Sequence, residues 1–150
     1  DEPEEPAETK AAETAEPSMD FTGVRLLLVD DLDVNREMAK MILGGYGFII
    51  ETAENGKIAL DMVAASSPGY YQLILMDVQM PVMNGYEATK AIRALPDPVL
   101  ASIPVIAMTA NAFAEDIQNA KEAGMNDHIA KPLDIPEMMK TLERILREPA

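Results

Sequence analysis

Three carboxylates, a hydroxyl and an ammonium stand at the ends of short apolar runs in this chain. Asp30-Asp31 follows Val24–Val29, Asp77 follows Leu73–Met76, Thr109 follows Val105–Met108, and Lys131-Pro132 follows His128–Ala130. Asp30, Asp31 and Asp77 offer the hard oxygens that Mg²⁺ prefers, with waters and a phosphate completing its shell. Crowded carboxylates repel one another, and a dication relieves that repulsion. A carboxylate can also attack a phosphoryl group to form an acyl phosphate, provided that a metal and a cation meet the phosphoryl oxygens. Asp77 is the candidate nucleophile, Lys131 the available cation, and Thr109 a hydroxyl donor to a phosphoryl oxygen. Singly, each has a plain alternative: Asp30-Asp31 as helix caps, Lys131 in a surface ion pair, Thr109 as an ordinary strand end. Jointly, they point to chemistry.

Apolar runs that stop at a polar residue have the form of parallel strands buried on both faces, with chemistry left to the strand ends. The intervening segments read as helices and one more strand. Asp33 can cap a first helix whose apolar stripe is Val34, Met38, Met41 and Ile42, ended by Gly44-Gly45. Phe48–Thr52 is a short β-branched strand, and Asn55-Gly56 starts a helix carrying Ile58, Met62 and Val63 inward. Pro68-Gly69 marks the loop into the third strand. A helix from Gly85 to Ala94 buries Ala88, Ile92 and Leu95 and stops before Pro96 and Pro98. Ile103–Met108 forms the fourth strand; the next helix carries Phe113, Ile117 and Ala120 and ends at Gly124. The final helix shows Ile135, Met138, Met139, Leu142, Ile145 and Leu146 at helical spacing. Most methionines thus read as core, with Met80 and Met83 as exceptions. Five βα units with right-handed crossovers predict a flavodoxin-like, doubly wound α/β fold: a five-stranded parallel sheet in order 2-1-3-4-5 with five helices. In such a sheet the strand ends share one edge, so the five groups converge on one crevice. Asp30-Asp31-Leu32-Asp33 stands where a dinucleotide binder would place G-x-G-x-x-G, which disfavours nucleotide binding.

The 150 residues, 48% hydrophobic, suit one domain with a real core. No run approaches the roughly 18 apolar residues of a membrane span, and no signal peptide is visible. The absence of cysteine excludes disulfides and thiolate metal sites and fits a cytoplasmic location. Residues 1–20 hold eight acids against Lys10, half of the formal net charge of -14. That Pro/Glu/Ala/Thr-rich segment reads as an acidic disordered linker or tail, ahead of a domain over residues 21–150. No basic face is present, so nucleic acid is not an expected direct partner. A chain that opens on Asp1 rather than Met reads as a piece of a longer protein.

Asp30-Asp31, Asp77-Val-Gln-Met-Pro81-Val-Met-Asn-Gly85, Thr109-Ala110 and Lys131-Pro132 together resemble the receiver domain of two-component response regulators. The resemblance covers the chain from about Val24 to Arg147. It implies that Asp77 is the phosphoacceptor, taking a phosphoryl group from a partner's phosphohistidine. It further implies that Asp30 and Asp31 hold Mg²⁺ with Asp77 and the Gln79 backbone carbonyl. Thr109 would then swing towards the phosphoryl group as a switch, Lys131 would pair with it, and the Lys131-Pro132 bond would be cis. Such a domain catalyses its own phosphotransfer and dephosphorylation. Asp30-Asp31-Leu-Asp-Val-Asn35-Arg36, Asn84-Gly85-Tyr86-Glu87-Ala88-Thr89 and Thr109-Ala-Asn111-Ala112 are most similar to the receivers of hybrid sensor histidine kinases. This implies a C-terminal receiver in the cytoplasmic part of a sensor kinase, without membrane contact of its own, relaying phosphate to a histidine phosphotransfer domain. The first helix is the surface such domains commonly offer that partner, and the chain leaves no room for a DNA-binding output domain.

His128 departs from the pattern, because receivers usually carry Tyr or Phe three residues before the lysine. A half-buried imidazole packing in place of the ring is the first reading; a pH-dependent switch is the second. Gln79 and Asn111 flank the site and are expected to influence the lifetime of an acyl phosphate. Two other classes compete. A pseudo-receiver would be a pure interaction module, against which intact Asp77, Thr109 and Lys131 argue. A haloacid-dehalogenase-type phosphatase would place Asp-x-Asp at the first strand end and carry a large cap; here that strand ends Asp-Asp and no loop is long enough.

Overall fold

The structure is a computed structural model and describes residues 21–110, 114–131 and 134–147. Five strands, β1 (Arg25–Val29), β2 (Ile49–Ala53), β3 (Leu73–Asp77), β4 (Val105–Thr109) and β5 (Asp127–Ala130), form one sheet in the order β2-β1-β3-β4-β5. Every pairing is parallel, with Leu27 beside both Glu51 and Ile74, Asp77 beside Met108, and Thr109 beside Ala130. The predicted order and parallel architecture are therefore present.

Among the described residues, six helices connect and cover the strands: α1 (Asp33–Gly44), α2 (Gly56–Ala65), α3 (Gly85–Arg93), α4 (Pro98–Ala101), α5 (Ala114–Ala123) and α6 (Ile135–Arg147). The one-turn α4 adds to the five helices expected. Pro98 opens it rather than excluding it, because proline fits the first turn and the Asp97 side chain caps the N–H groups of Val99 and Leu100.

Alternation along the strands builds two cores. Leu27, Val29, Ile74, Met76, Val105 and Ala107 pack under α2, α3 and α5 with Val63, Ala88, Ile92 and Ala120. Leu26, Leu28, Leu73, Leu75, Ile106 and Met108 pack under α1 and α6 with Leu43, Met138, Met139 and Leu142. β1, β3 and β4 have side chains buried on both faces, hence their unbroken apolar runs.

Three helix details differ from expectation. On α1, Ala39 and Leu43 are buried, whereas Val34, Met38 and Met41 face solvent. The apolar arc of this helix is wider than the part that touches the sheet. On α2, Ala59 and Val63 point inward and Ile58 is exposed. Asp33 does not cap α1: Leu32 holds that position without a side-chain cap, and Asp33 lies in the first turn paired with Arg36. Met80 and Met83 are half-buried against the first core, so they are partial exceptions. Phe113 lies outside the described residues, as do Asn111 and residues 1–20.

Candidate functional site

The carboxyl ends of β1, β3, β4 and β5 meet along one edge, as an open α/β sheet requires. Asp30 and Asp77 are buried there, and Asp31 is exposed at the rim. One oxygen from each of the three lies within 4.8 Å of the others. Lys131, just past β5, puts its Nζ 3.1 Å from Asp77 Oδ2 and 3.5 Å from Asp30 Oδ2. Its backbone N–H donates to the Thr109 carbonyl at 2.8 Å, which sets the lysine beside the end of β4, where the Thr109 side chain is buried. The sequence-predicted Asp30, Asp31, Asp77, Thr109 and Lys131 are thus gathered into one crevice. All three acidic donors are hard oxygens at mutual distances one small cation can span, so this set fits a divalent metal of the Mg²⁺ type.

Electrostatics follow from the crowding. Burial pushes the Asp77 carboxyl above its ordinary value; the Lys131 hydrogen bond and charge and the Gln79 N–H oppose this, and Asp30 adds to it. Burial disfavours the Lys131 ammonium, but hydrogen bonds to Asp77 and Asp30 and their charges outweigh it and raise the lysine. An ammonium held between two carboxylates remains charged and positioned for an incoming anion.

The loop after β3 is built to hold Asp77. The Gln79 N–H donates to Asp77 Oδ1 at 3.2 Å, fixing the Gln79 main chain beside the carboxylate. Val82 then adopts a φ of 70° in a γ-turn closed by the Met83 N–H on the Pro81 carbonyl at 2.7 Å. A β-branched residue in that region stores strain. α3 starts against the strand end itself: a Cβ at Gly85 would overlap the Asp77 carbonyl oxygen, so only glycine fits. Asn84 and Glu87 complete a capping box there. The start of α2 closes the other side, Gly56 donating to the Met83 carbonyl at 3.1 Å.

His128 stands apart from the acidic crevice. It is half-buried, its Nδ1 3.6 Å from Asp127 Oδ1, and Asp127 also pairs with Arg144. With Ile117, Ala120 and Met125 it lines a cavity of about 160 Å³ under α5. The expected cis bond at Lys131-Pro132 involves Pro132, outside the described residues.

Three features escaped the sequence reading. Asn35 and Arg36, one helical turn past the acidic pair, both bond to Asp30. A groove of about 430 Å³ between α1 and α6 runs from there past Met38 and Ile135. At the sheet's far edge, Glu51 accepts hydrogen bonds from Tyr70, Tyr71 and Arg25, and Arg25 lies 4.2 Å above the Tyr70 ring. Only the adjacency of Asn35 and Arg36 to Asp30-Asp31 in the chain could have signalled the first.

Comparisons with known proteins agree with this geometry. The family model described as "Response regulator receiver domain" matches residues 26–143. The two-component response regulator ORR41 of Oryza sativa subsp. japonica is 39% identical over 113 residues, 73% of this chain and 84% of that protein. The sensor histidine kinase RcsC of Escherichia coli K12 is 37% identical over 123 residues, 82% of this chain but 12% of the kinase. Among solved structures, the receiver domain of sensor histidine kinase PA1611 from Pseudomonas aeruginosa PAO1, with magnesium in its active site cleft, superposes with a TM-score of 0.75. It is 35% identical, and the match covers 85% of this chain and all of that one.

Proposed function

The chain belongs to the family of response regulator receiver domains of two-component systems, and from that premise we propose that it is a phosphoacceptor. Asp77 takes the phosphoryl group from a phosphohistidine and passes it to a histidine phosphotransfer domain, within the cytoplasmic part of a hybrid sensor kinase. The observation that carries this reading is the juxtaposition of Lys131 Nζ, 3.1 Å from buried Asp77, with three carboxylates whose oxygens lie within 4.8 Å.

An Asp77 carboxylate oxygen attacks phosphorus, forming the acyl phosphate P–O bond as the P–N bond to the donor imidazole breaks. The electron pair of that bond leaves with the imidazole. Lys131 pairs with one phosphoryl oxygen, and the Thr109 hydroxyl, at the adjacent strand end, donates to another. Asp30, Asp31, Asp77 and the Gln79 main-chain carbonyl would hold Mg²⁺. When bound, the ion offsets the charge on the phosphoryl oxygens. Thr109 acts as the switch that reports phosphorylation, with His128 in the position an aromatic ring commonly fills. Dephosphorylation is attack on the same phosphorus by water, which returns the carboxylate and releases inorganic phosphate. Support for the hybrid-kinase setting comes from relatives such as RcsC. Among the described residues no helix is long and apolar enough to cross a membrane.

Intact-protein mass spectrometry after incubation with acetyl phosphate tests the reading, with and without Mg²⁺ and beside Asp77→Asn. One Mg²⁺-dependent phosphoryl adduct, lost in the variant, is expected. No adduct from acetyl phosphate or from a phosphohistidine donor, with the fold intact, would refute the acceptor role.

A further inference from the structure

Asp30 and Asp31 are neighbours in sequence but are held very differently. Asp31 is exposed at the rim, whereas Asp30 is buried and restrained from several sides. Its Oδ1 accepts the Leu32 N–H at 3.0 Å, and its Oδ2 faces Lys131. Asn35 Nδ2, in the first turn of α1, lies 3.4 Å from Oδ1 and 3.3 Å from Oδ2, nearly equidistant from the two. Behind it, Arg36 Nη1 donates to the Asp30 main-chain carbonyl at 2.7 Å while pairing with Asp33.

From this we propose that Asn35 is a positioning residue for the divalent cation site, acting through Asp30. The inference rests on the reading of Asp30, Asp31 and Asp77 as a cation site. An amide donating across both oxygens fixes the plane of the carboxylate without adding charge. Arg36 fixes the main chain that carries the same side chain. A cation then meets Asp30 already oriented and has to order only the exposed Asp31. Lys131 cannot do this alone, because its ammonium is shared with Asp77 and is committed to the incoming anion. Groups that orient a metal's carboxylates commonly alter affinity tenfold or more when removed.

The test is direct Mg²⁺ binding to the unphosphorylated protein by titration calorimetry, for wild type, Asn35→Ala and Asn35→Gln. Alanine suits the first turn of a helix and removes the donor without a clash. Glutamine restores an amide on a longer stem. The expected result is about a tenfold weaker Kd for Asn35→Ala and substantial recovery in Asn35→Gln. In acetyl phosphate assays the Mg²⁺ needed for half-maximal phosphorylation rises by the same factor, while the rate at saturating Mg²⁺ stays within about twofold of wild type. Equal affinity in all three proteins overturns the proposal. An equal loss in both variants also overturns it, since packing at that turn would then be responsible. Wild type that binds no Mg²⁺ at all would instead sink the cation-site reading, and this inference with it.

Discussion

Replacing Asp77 by asparagine should make the metal-free protein more stable, although it removes the proposed acceptor. At an effective dielectric of about 20, like charges 4.8 Å apart repel by roughly 3 kcal/mol, which sets the scale for Asp30 against Asp77. Asp31 is exposed, and in near-aqueous surroundings its share falls to roughly 1 kcal/mol. Lys131 at 3.1 Å attracts Asp77 by roughly 5 kcal/mol on the same scale. Attraction and repulsion nearly cancel, so the burial of the carboxylate decides the sign. That agrees with an Asp77 carboxyl raised chiefly by burial. Asparagine keeps an acceptor for Lys131 and sheds the charge, so the gain should be about 1–2 kcal/mol at neutral pH, read as a higher urea midpoint at unchanged m. A raised carboxyl destabilises the fold only once ionised; the gap should close in acid and open as pH rises through the folded value. Mg²⁺ at a hundredfold excess over its Kd adds about 2.7 kcal/mol to wild type and much less to the variant, reversing their order. A variant less stable than wild type in chelator at neutral pH, or a gap independent of pH, would refute the reasoning.

Other expectations follow from single contacts. Arg93 donates to the carbonyls of Ala101, Ile103 and Gly124 and to Asn126, tying α3 to two loops; Arg93→Lys should lose about 2–3 kcal/mol in urea unfolding, because one ammonium cannot reach all of these acceptors. Val82→Gly should gain about 1 kcal/mol in the same assay, since release of the strained turn exceeds the added flexibility of the unfolded chain. Glu51 is penalised by burial, yet hydrogen bonds from Tyr70 and Tyr71 and the Arg25 charge hold it below its ordinary value. The stability it contributes is full above the unfolded pKa and lost as pH falls through the lowered one. Thermal melts across the acid range should therefore show a steeper loss in wild type than in Glu51→Gln.

The strand ends were readable because burial on both faces leaves a mark in the chain: Leu73–Met76 cannot stop at Asp77 on a solvated sheet without exposing those side chains. Strand order then followed from handedness, and the convergence of Asp30, Asp77 and Lys131 followed from strand order. Contacts that depend on the exact start of a helix were not readable. Whether Asn35 or Asp33 reaches inward is set by where α1 begins, and a shift of one residue turns the helix face by about 100°. The same ambiguity made Val34, Met38 and Met41 resemble a buried stripe. The stop before Pro96 and Pro98 was legible, but the one-turn helix that Pro98 opens was not, since proline ends one helix and starts another. The cluster of Arg25, Glu51, Tyr70 and Tyr71 joins distant segments through the register of β1 and β2, and no local pattern announces it.

The outward arc of α1 carries a chemical liability. Met38 and Met41 are 54% and 78% exposed, and Met38 also lines the groove that leads to Asp30 and Lys131. Oxidants reach such thioethers readily, and each sulfoxide places a polar, chiral S=O where the helix now presents a soft apolar surface. At Met38 that oxygen would sit in the approach to the crevice, within an otherwise largely apolar wall. Peroxide exposure would therefore change the face beside Asp30 without altering any residue of the acidic cluster, and methionine sulfoxide reductases would restore it.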